Sequence, residues 1–241
     1  MDLGIAGKVA LVTAGSKGLG RATAMALAGE GVRVMLSGRD PSTLSATRDQ
    51  MTSLGFDVDS LAGDVTGPEE PRRLVAATVE RFGGLDILVA NAGGPPPGRA
   101  LDLSDDAIES AVNANLTTSV RLIREALPYM RAAGWGRICC ITSYTVKQPA
   151  PGLTLSNTAR TGLWAWIKTA AQDLAAESSG ITLNMMCPGP HATDRMKELG
   201  GAGVMGDPAD FGAVTAFVCS AHAGFVNGSA IVVDGGSTLA L

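Results

Sequence analysis

Seven short apolar runs without polar alternation, at residues 9–13, 32–36, 58–61, 87–90, 138–141, 181–186 and 231–233, are separated by six stretches of helical length. That alternation leaves few folds open. Runs rich in Val, Ile and Leu that lack a polar face are strands buried on both sides, and parallel sheets are where such strands occur. The intervening stretches, 20–30, 41–54, 68–82, 105–133, 156–176 and 208–220, supply the crossover helices. In the fourth, Ile108, Val112, Leu116, Val120, Ile123, Leu127 and Met130 recur at steps of three and four, one continuous apolar stripe, and Ser104 stands where a helix cap belongs. The expected architecture is α/β: one domain over residues 1–241, a doubly wound seven-stranded parallel sheet with helices on both faces.

Composition narrows the functional classes. With 46% hydrophobic and 17% charged residues the chain has the apolar mass for a large core and too little charge for disorder. A formal charge of −4 argues against a general electrostatic grip on nucleic acid or an anionic membrane, so any bound anion must be held by local geometry. Cys139, Cys140, Cys187 and Cys219 show no CxxC spacing, and the adjacent pair could not join without severe strain; reduced thiols are expected. No apolar run reaches the length of a membrane helix, and residues 1–10 lack the basic-then-apolar pattern of a signal peptide, so a cytoplasmic location is expected.

Ligands in such a sheet bind beyond the carboxyl ends of the strands. After the first strand, Thr13-Ala14-Gly15-Ser16-Lys17-Gly18-Leu19-Gly20 runs into a helix, a loop whose glycines permit a sharp turn and let backbone N–H groups approach a pyrophosphate. The bland alternative is a tight strand-to-helix turn. The second strand ends Gly38-Arg39, where an NAD-preferring domain offers a carboxylate to the adenosine ribose; a guanidinium, with Lys17 nearby, suits a 2′-phosphate instead, unless both are ordinary surface cations. Asp64-Val65, Asn91-Ala92-Gly93 and Pro188-Gly189 follow later strands.

The glycine loop, Asp64-Val65, Asn91-Ala92-Gly93, Asn115-Leu116, Gly136-Arg137-Ile138 leading to Thr142-Ser143, Pro188-Gly189 with Thr193, and Val233-Asp234-Gly235-Gly236 together resemble the short-chain dehydrogenase/reductase family, of the 3-oxoacyl-carrier-protein reductase type. The likeness runs through the whole chain in order. It implies a Rossmann-type subunit, a nicotinamide dinucleotide held by the loops just named, hydride transfer between a small-molecule carbonyl and an alcohol, and a homotetramer or homodimer. With Arg39 and Lys17, NADP(H) is expected over NAD(H).

The departures alter the chemistry. The family usually has glycine at Ala14, a mild change that Gly15 is expected to relieve. Its active site joins an Asn and a Ser, which Asn115 and Ser143 match, to a Tyr-x-x-x-Lys pair. Ser156 stands 13 residues after Ser143, in the tyrosine's place, and Arg160 stands in the lysine's. By resemblance, the tyrosine moves the proton while the lysine lowers its pKa and holds the nicotinamide ribose. A phenol near pKa 10 can be tuned toward neutrality, whereas an aliphatic hydroxyl is far less acidic and a guanidinium does not shuttle protons. Arg160 can still bond a ribose, so cofactor binding is expected to survive where ordinary acid–base catalysis does not.

Water or His191, in the loop after the sixth strand, is the expected proton source, an imidazole near pKa 6.5 being competent, although a plain loop histidine is the alternative. Tyr144 and Lys147 are spaced wrongly for a helical pair and read as packing or substrate contacts; His222 reads as structural. Trp164 and Trp166 are expected to face different sides of their helix, one of them toward a subunit interface, with core packing as the alternative. The glycine-rich stretch from Thr193 to Pro208 reads as a small lid. Two other classes stay open: a dinucleotide-binding protein without redox activity, and a non-redox enzyme on the same frame. The second is disfavoured because the glycine loop and Asn91-Ala92-Gly93 remain fit for a dinucleotide.

Overall fold

The computed structural model describes residues 1–200 and 203–240. Its seven strands, β1 (Val9–Val12), β2 (Arg33–Gly38), β3 (Val58–Ala62), β4 (Ile87–Ala90), β5 (Gly136–Ile141), β6 (Ile181–Pro188) and β7 (Ala230–Val233), form one parallel sheet in the order β3-β2-β1-β4-β5-β6-β7. Strand order reverses between β1 and β4, which opens a crevice at their carboxyl ends. The lack of polar alternation has its explanation in the two core layers. Along β1, Val9 and Leu11 enter the cluster with Leu74, Leu122 and Leu163, while Ala10 and Val12 enter the cluster with Leu27, Leu44 and Phe211. Successive side chains point to opposite faces, and both faces are dry. Cys139 and Cys140 divide the same way, one thiol per layer. All four cysteines are free and buried.

The helices are α1 (Gly18–Gly29), α2 (Pro41–Ser53), α3 (Glu70–Phe82), α4 (Asp105–Val112), α5 (Thr118–Ala133), α6 (Thr154–Ala176), α7 (Asp194–Glu198) and α8 (Pro208–Val218). Ser104 Oγ accepts from Ala107 N at 3.3 Å, so the cap is where its residue type placed it. Two expectations need correction. The single helix over 105–133 is interrupted by a π-helical turn, Asn113–Thr117, in which the Asn113 carbonyl accepts from both the N–H and the Oγ1 of Thr118, five residues on. The apolar stripe survives the bulge, so periodicity alone gave no sign of it. The stretch after Thr193 is in part helical: Thr193 Oγ1 caps α7 through Met196 N at 3.3 Å, and Gly206 pairs with His191; residues 201 and 202 of that stretch lie outside the described residues. Among the described residues no helix is long and apolar enough to cross a membrane.

Candidate active site

At the β1 end of the crevice, Thr13 Oγ1 donates to Asn91 O at 2.7 Å and accepts from Asn91 N at 2.9 Å, which ties the glycine loop to the end of β4. Asn91 Nδ2 donates to Ala14 O at 3.4 Å, and a Cβ at Gly20 would collide with that same carbonyl and amide. Only glycine allows α1 to start so close. Ala14 itself lies at φ +46°, in the left-handed region that disfavours a side chain, and Gly15 does not take over that strained position. The expected relief by Gly15 is therefore absent; the alanine carries the strain.

The loop's geometry suits a dinucleotide. Side chains of Asp40, Ser104 and Asp207 cap α2, α4 and α8, whereas α1, like α3 and α6, starts with no side-chain cap; its start follows β1 directly through the glycine loop, so its first N–H groups have no side chain bonded to them. Beside them, a Cβ at Gly38 would lie 3.1 Å from Ser16 Oγ, so the absent side chain lets the glycine loop pack close to the end of β2. Arg39 is exposed and reaches toward Gly93. Asp64 accepts from Thr66 N at 3.0 Å and Thr66 Oγ1 at 2.8 Å; those bonds, with the Arg39 charge adding to them, hold its carboxyl below the usual range. Val65 is buried in the core, and Ala92 and Gly93 continue the β4 end. Thr193 packs its side chain against Gly18, so the loop after Pro188 and Gly189 closes over the start of α1.

At the β5 end Ser143, Ser156 and Asn115, the candidate catalytic residues, stand on elements that pack against one another. Ser143 follows β5, is buried, and its Oγ accepts from Thr145 N at 3.2 Å and Thr145 Oγ1 at 3.0 Å. Ser156, in the first turns of α6, is also buried, and its Oγ accepts from Arg160 Nη1 at 2.9 Å. Ser143 Oγ accepts two bonds and Ser156 Oγ one, and among the described residues neither hydroxyl donates to a protein acceptor, which leaves each O–H free for a ligand. Burial, with the Arg195 charge next in size, pulls the Arg160 guanidinium down to about 10. Asn115 is buried in the π turn, Nδ2 donating to Ala111 O at 3.3 Å. A π turn at this point in the helix is the kind of irregularity that accompanies functional sites.

His191 takes no part in this gathering. Its Nδ1 lies 3.0 Å from Gly189 O, which makes that nitrogen the donor, and its ring packs edge-on to Phe211 of α8 at 5.3 Å. Phe211 belongs to the layer of α1 and α8, whereas Ser156 is on α6 in the opposite layer. The expectation of His191 as proton donor is corrected accordingly: its imidazole is turned into packing because Phe211 and Gly206 offer it a buried slot. Lys147 stacks its ammonium over the Trp164 ring at 4.1 Å, and Trp164 and Trp166, both half-buried, pack on the same core cluster. His222 Nε2 meets Asp2 O at 2.8 Å and ties down the amino terminus. The sequence reading missed Thr145, Gly94 and Arg195; Arg195 lies two residues past Thr193 in a strand-end loop, the place where binding residues collect.

A seven-stranded, doubly wound sheet with an uncapped glycine-loop helix and buried serines at the β5 end defines a dinucleotide-fold oxidoreductase. The sequence matches the family model described as short chain dehydrogenase over residues 8–202, and the chain belongs to that family of oxidoreductases acting on small molecules. It is 30% identical to the human protein named Dehydrogenase/reductase SDR family member 4, over 97% of this chain and 88% of that protein. It is 31% identical to the 3-oxoacyl-[acyl-carrier-protein] reductase FabG of Vibrio cholerae, over 97% and 98%. Among solved structures, L-sorbose reductase from Gluconobacter frateurii, complexed with NADPH and L-sorbose, superposes with a TM-score of 0.93 at 30% identity, covering 100% of both chains. A 7α-hydroxysteroid dehydrogenase complexed with NADH gives 0.92 at 26% identity, covering 98% and 96%.

Proposed function

We propose that the chain is an NADP(H)-dependent oxidoreductase that interconverts a small carbonyl compound and its alcohol, with a hydroxyl–guanidinium pair in place of the usual proton-moving phenol. The observation that carries this is the 2.9 Å bond from Arg160 Nη1 to Ser156 Oγ. When bound, the dinucleotide supplies or accepts the hydride. Ser156 and Ser143 offer their free O–H groups to the substrate oxygen, and Arg160 stabilises the negative charge that grows on that oxygen by polarising Ser156. Serine does not itself ionise near neutral pH, so a water, for which Asn115 offers a polar partner, delivers the final proton. Thr13, Gly15, Ser16, Lys17, Gly18, Leu19 and Gly20 cradle the pyrophosphate, Arg39 and Lys17 meet the 2′-phosphate, and Asp64, Val65, Asn91, Ala92 and Gly93 line the adenine and ribose side. Arg160, Pro188, Gly189 and Thr193 hold the nicotinamide side.

Ile108 and Tyr129, on α4 and α5, are 38% and 39% exposed, which supports pairing of the long helices across a two-fold axis into a homotetramer or homodimer. Four reduced thiols fit a cytoplasmic setting. The test is a fluorescence titration with NADPH followed by reduced-nicotinamide absorbance over a carbonyl panel. Tight NADPH binding with turnover is the expected result. Binding without any turnover would assign the chain instead to dinucleotide-binding proteins that lack redox activity.

A further inference from the structure

Two guanidiniums converge beside Gly94, and the one carboxylate paired with either of them among the described residues is the exposed Glu198 on Arg195. Arg160 spends Nη1 on Ser156, and among the described residues its Nη2 and Nε have no hydrogen-bond partner. Arg195, on α7, spends Nη2 on Pro95 O at 2.8 Å and Nη1 on an exposed, 3.5 Å contact with Glu198, which leaves Nε. These unspent donors face one spot. The position a Cβ would occupy on Gly94 lies 3.5 Å from Arg195 Nε and 3.9 Å from Arg160 Nη2, and Gly94 has no side chain to fill it. The mutual repulsion is felt, since Arg195 is among the causes that lower Arg160. Lys147, over Trp164, adds a third cation whose field reaches Cys187 together with that of Arg160.

Cations placed together at a cost call for an anion. Ribose hydroxyls and an oxidised nicotinamide, which the proposed complex would bring to Arg160, carry no negative charge; the dinucleotide's pyrophosphate is the competing anion, and the NADPH affinity of the Arg195 variant below separates the two. We propose that the spot above Gly94, between Arg160 and Arg195, receives the carboxylate of the substrate, and that the enzyme acts on small oxo acids and the corresponding hydroxy acids. A planar carboxylate can accept from both forks at once, which neutral ketones cannot do. This rests on the proposed oxidoreductase function and narrows its substrate class.

The test compares a series of short oxo acids with their methyl esters, in the wild-type protein and in Arg195→Gln, Arg195→Lys and Gly94→Ala. Gly94→Ala keeps both arginines; the added methyl has only ordinary contacts, at 3.5 Å and beyond, but projects into the space between the two guanidiniums and crowds an anion held there. The wild type is expected to favour acid over ester by about tenfold or more in KM. Arg195→Gln and Gly94→Ala should bring that ratio near one, while Arg195→Lys keeps part of it. Equal KM for acid and ester in the wild type would overturn the proposal and leave the oxidoreductase reading standing. So would an Arg195→Gln variant that loses NADPH affinity by the same factor as acid binding, since the anion would then be a cofactor phosphate. A second readout is independent of turnover: calorimetric binding of a hydroxy acid and of its ester to the NADPH complex. No preference for the acid there sinks the carboxylate site, whereas acid binding without any turnover in the panel sinks the redox reading alone.

Discussion

The guanidinium of Arg160 donates to the hydroxyl oxygen of Ser156 across one turn of α6, 2.9 Å from nitrogen to oxygen. An i,i+4 pair shares one helix face, so in the proposed mechanism the two residues act as one unit. The proposed mechanism relies on a polarised hydroxyl rather than an ionisable acid, and the rate should depend on both members together.

Removing the hydroxyl in Ser156→Ala should lower kcat by about 10²-fold with little change in NADPH affinity, because the lost interaction acts on charge that develops in the transition state. Restoring Ser156→Tyr with Arg160→Lys should raise reduction of simple ketones if the pocket admits the ring. Stopped-flow oxidation of NADPH in the three proteins checks both statements; a Ser156→Ala enzyme as fast as wild type would remove the hydroxyl from the reaction.

The exposed Arg39 at the end of β2 predicts a cofactor preference. NADPH should bind roughly tenfold or more tightly than NADH, the value of one charge-assisted contact, and Arg39→Ala should erase most of the difference. Fluorescence titration with each cofactor measures it, and equal dissociation constants in the wild type would refute it.

Ala14 at φ +46° predicts a stabilising substitution. Ala14→Gly should gain about 1 kcal/mol by relief of left-handed strain, offset in part by the freedom glycine adds to the unfolded chain. For a domain of this size that is a rise of about 2–4 °C in Tm. A lower Tm by calorimetry would show the strain to be negligible.

The buried thiols predict alkaline sensitivity. Burial pushes Cys140 from 9.0 up to about 12, and Cys139 and Cys187 move in the same direction. The folded thiol thus keeps its proton at pH values where the unfolded one has lost it. The stability it contributes is complete below pH 9 and declines between pH 9 and 12, by about 1.4 kcal/mol per unit for a single thiol. Urea unfolding at pH 7 to 10.5 should show a shallower decline in Cys140→Ala than in the wild type; parallel curves would count against the assignment.

Much of this protein was legible in its residues. Continuous Val, Ile and Leu runs dictate strands buried on both faces, their spacing dictates parallel crossovers, and the glycine loop with Asn91 marks the crevice, because each of these is a property of short segments and their order. The pairing of Ser156 with Arg160 was legible for the same reason: their helical spacing already puts them on one face, where the 2.9 Å bond forms. The remaining features depend on contacts between segments far apart in the chain. The π turn at Asn113–Thr117 leaves the apolar stripe intact, so only the Thr118 bonds to the Asn113 carbonyl reveal it. His191 reads as a proton donor until Phe211, on a helix formed later in the chain, takes its ring into the opposite layer. Arg195 and Arg160 meet over Gly94 only because the loops after β4 and β6 come together at the carboxyl edge of the sheet. The sequence determined the sheet, its crevice and which residue types reach that edge; which way each side chain turns there was decided by tertiary packing, since a rotamer's energy is set by the neighbours that the fold brings in.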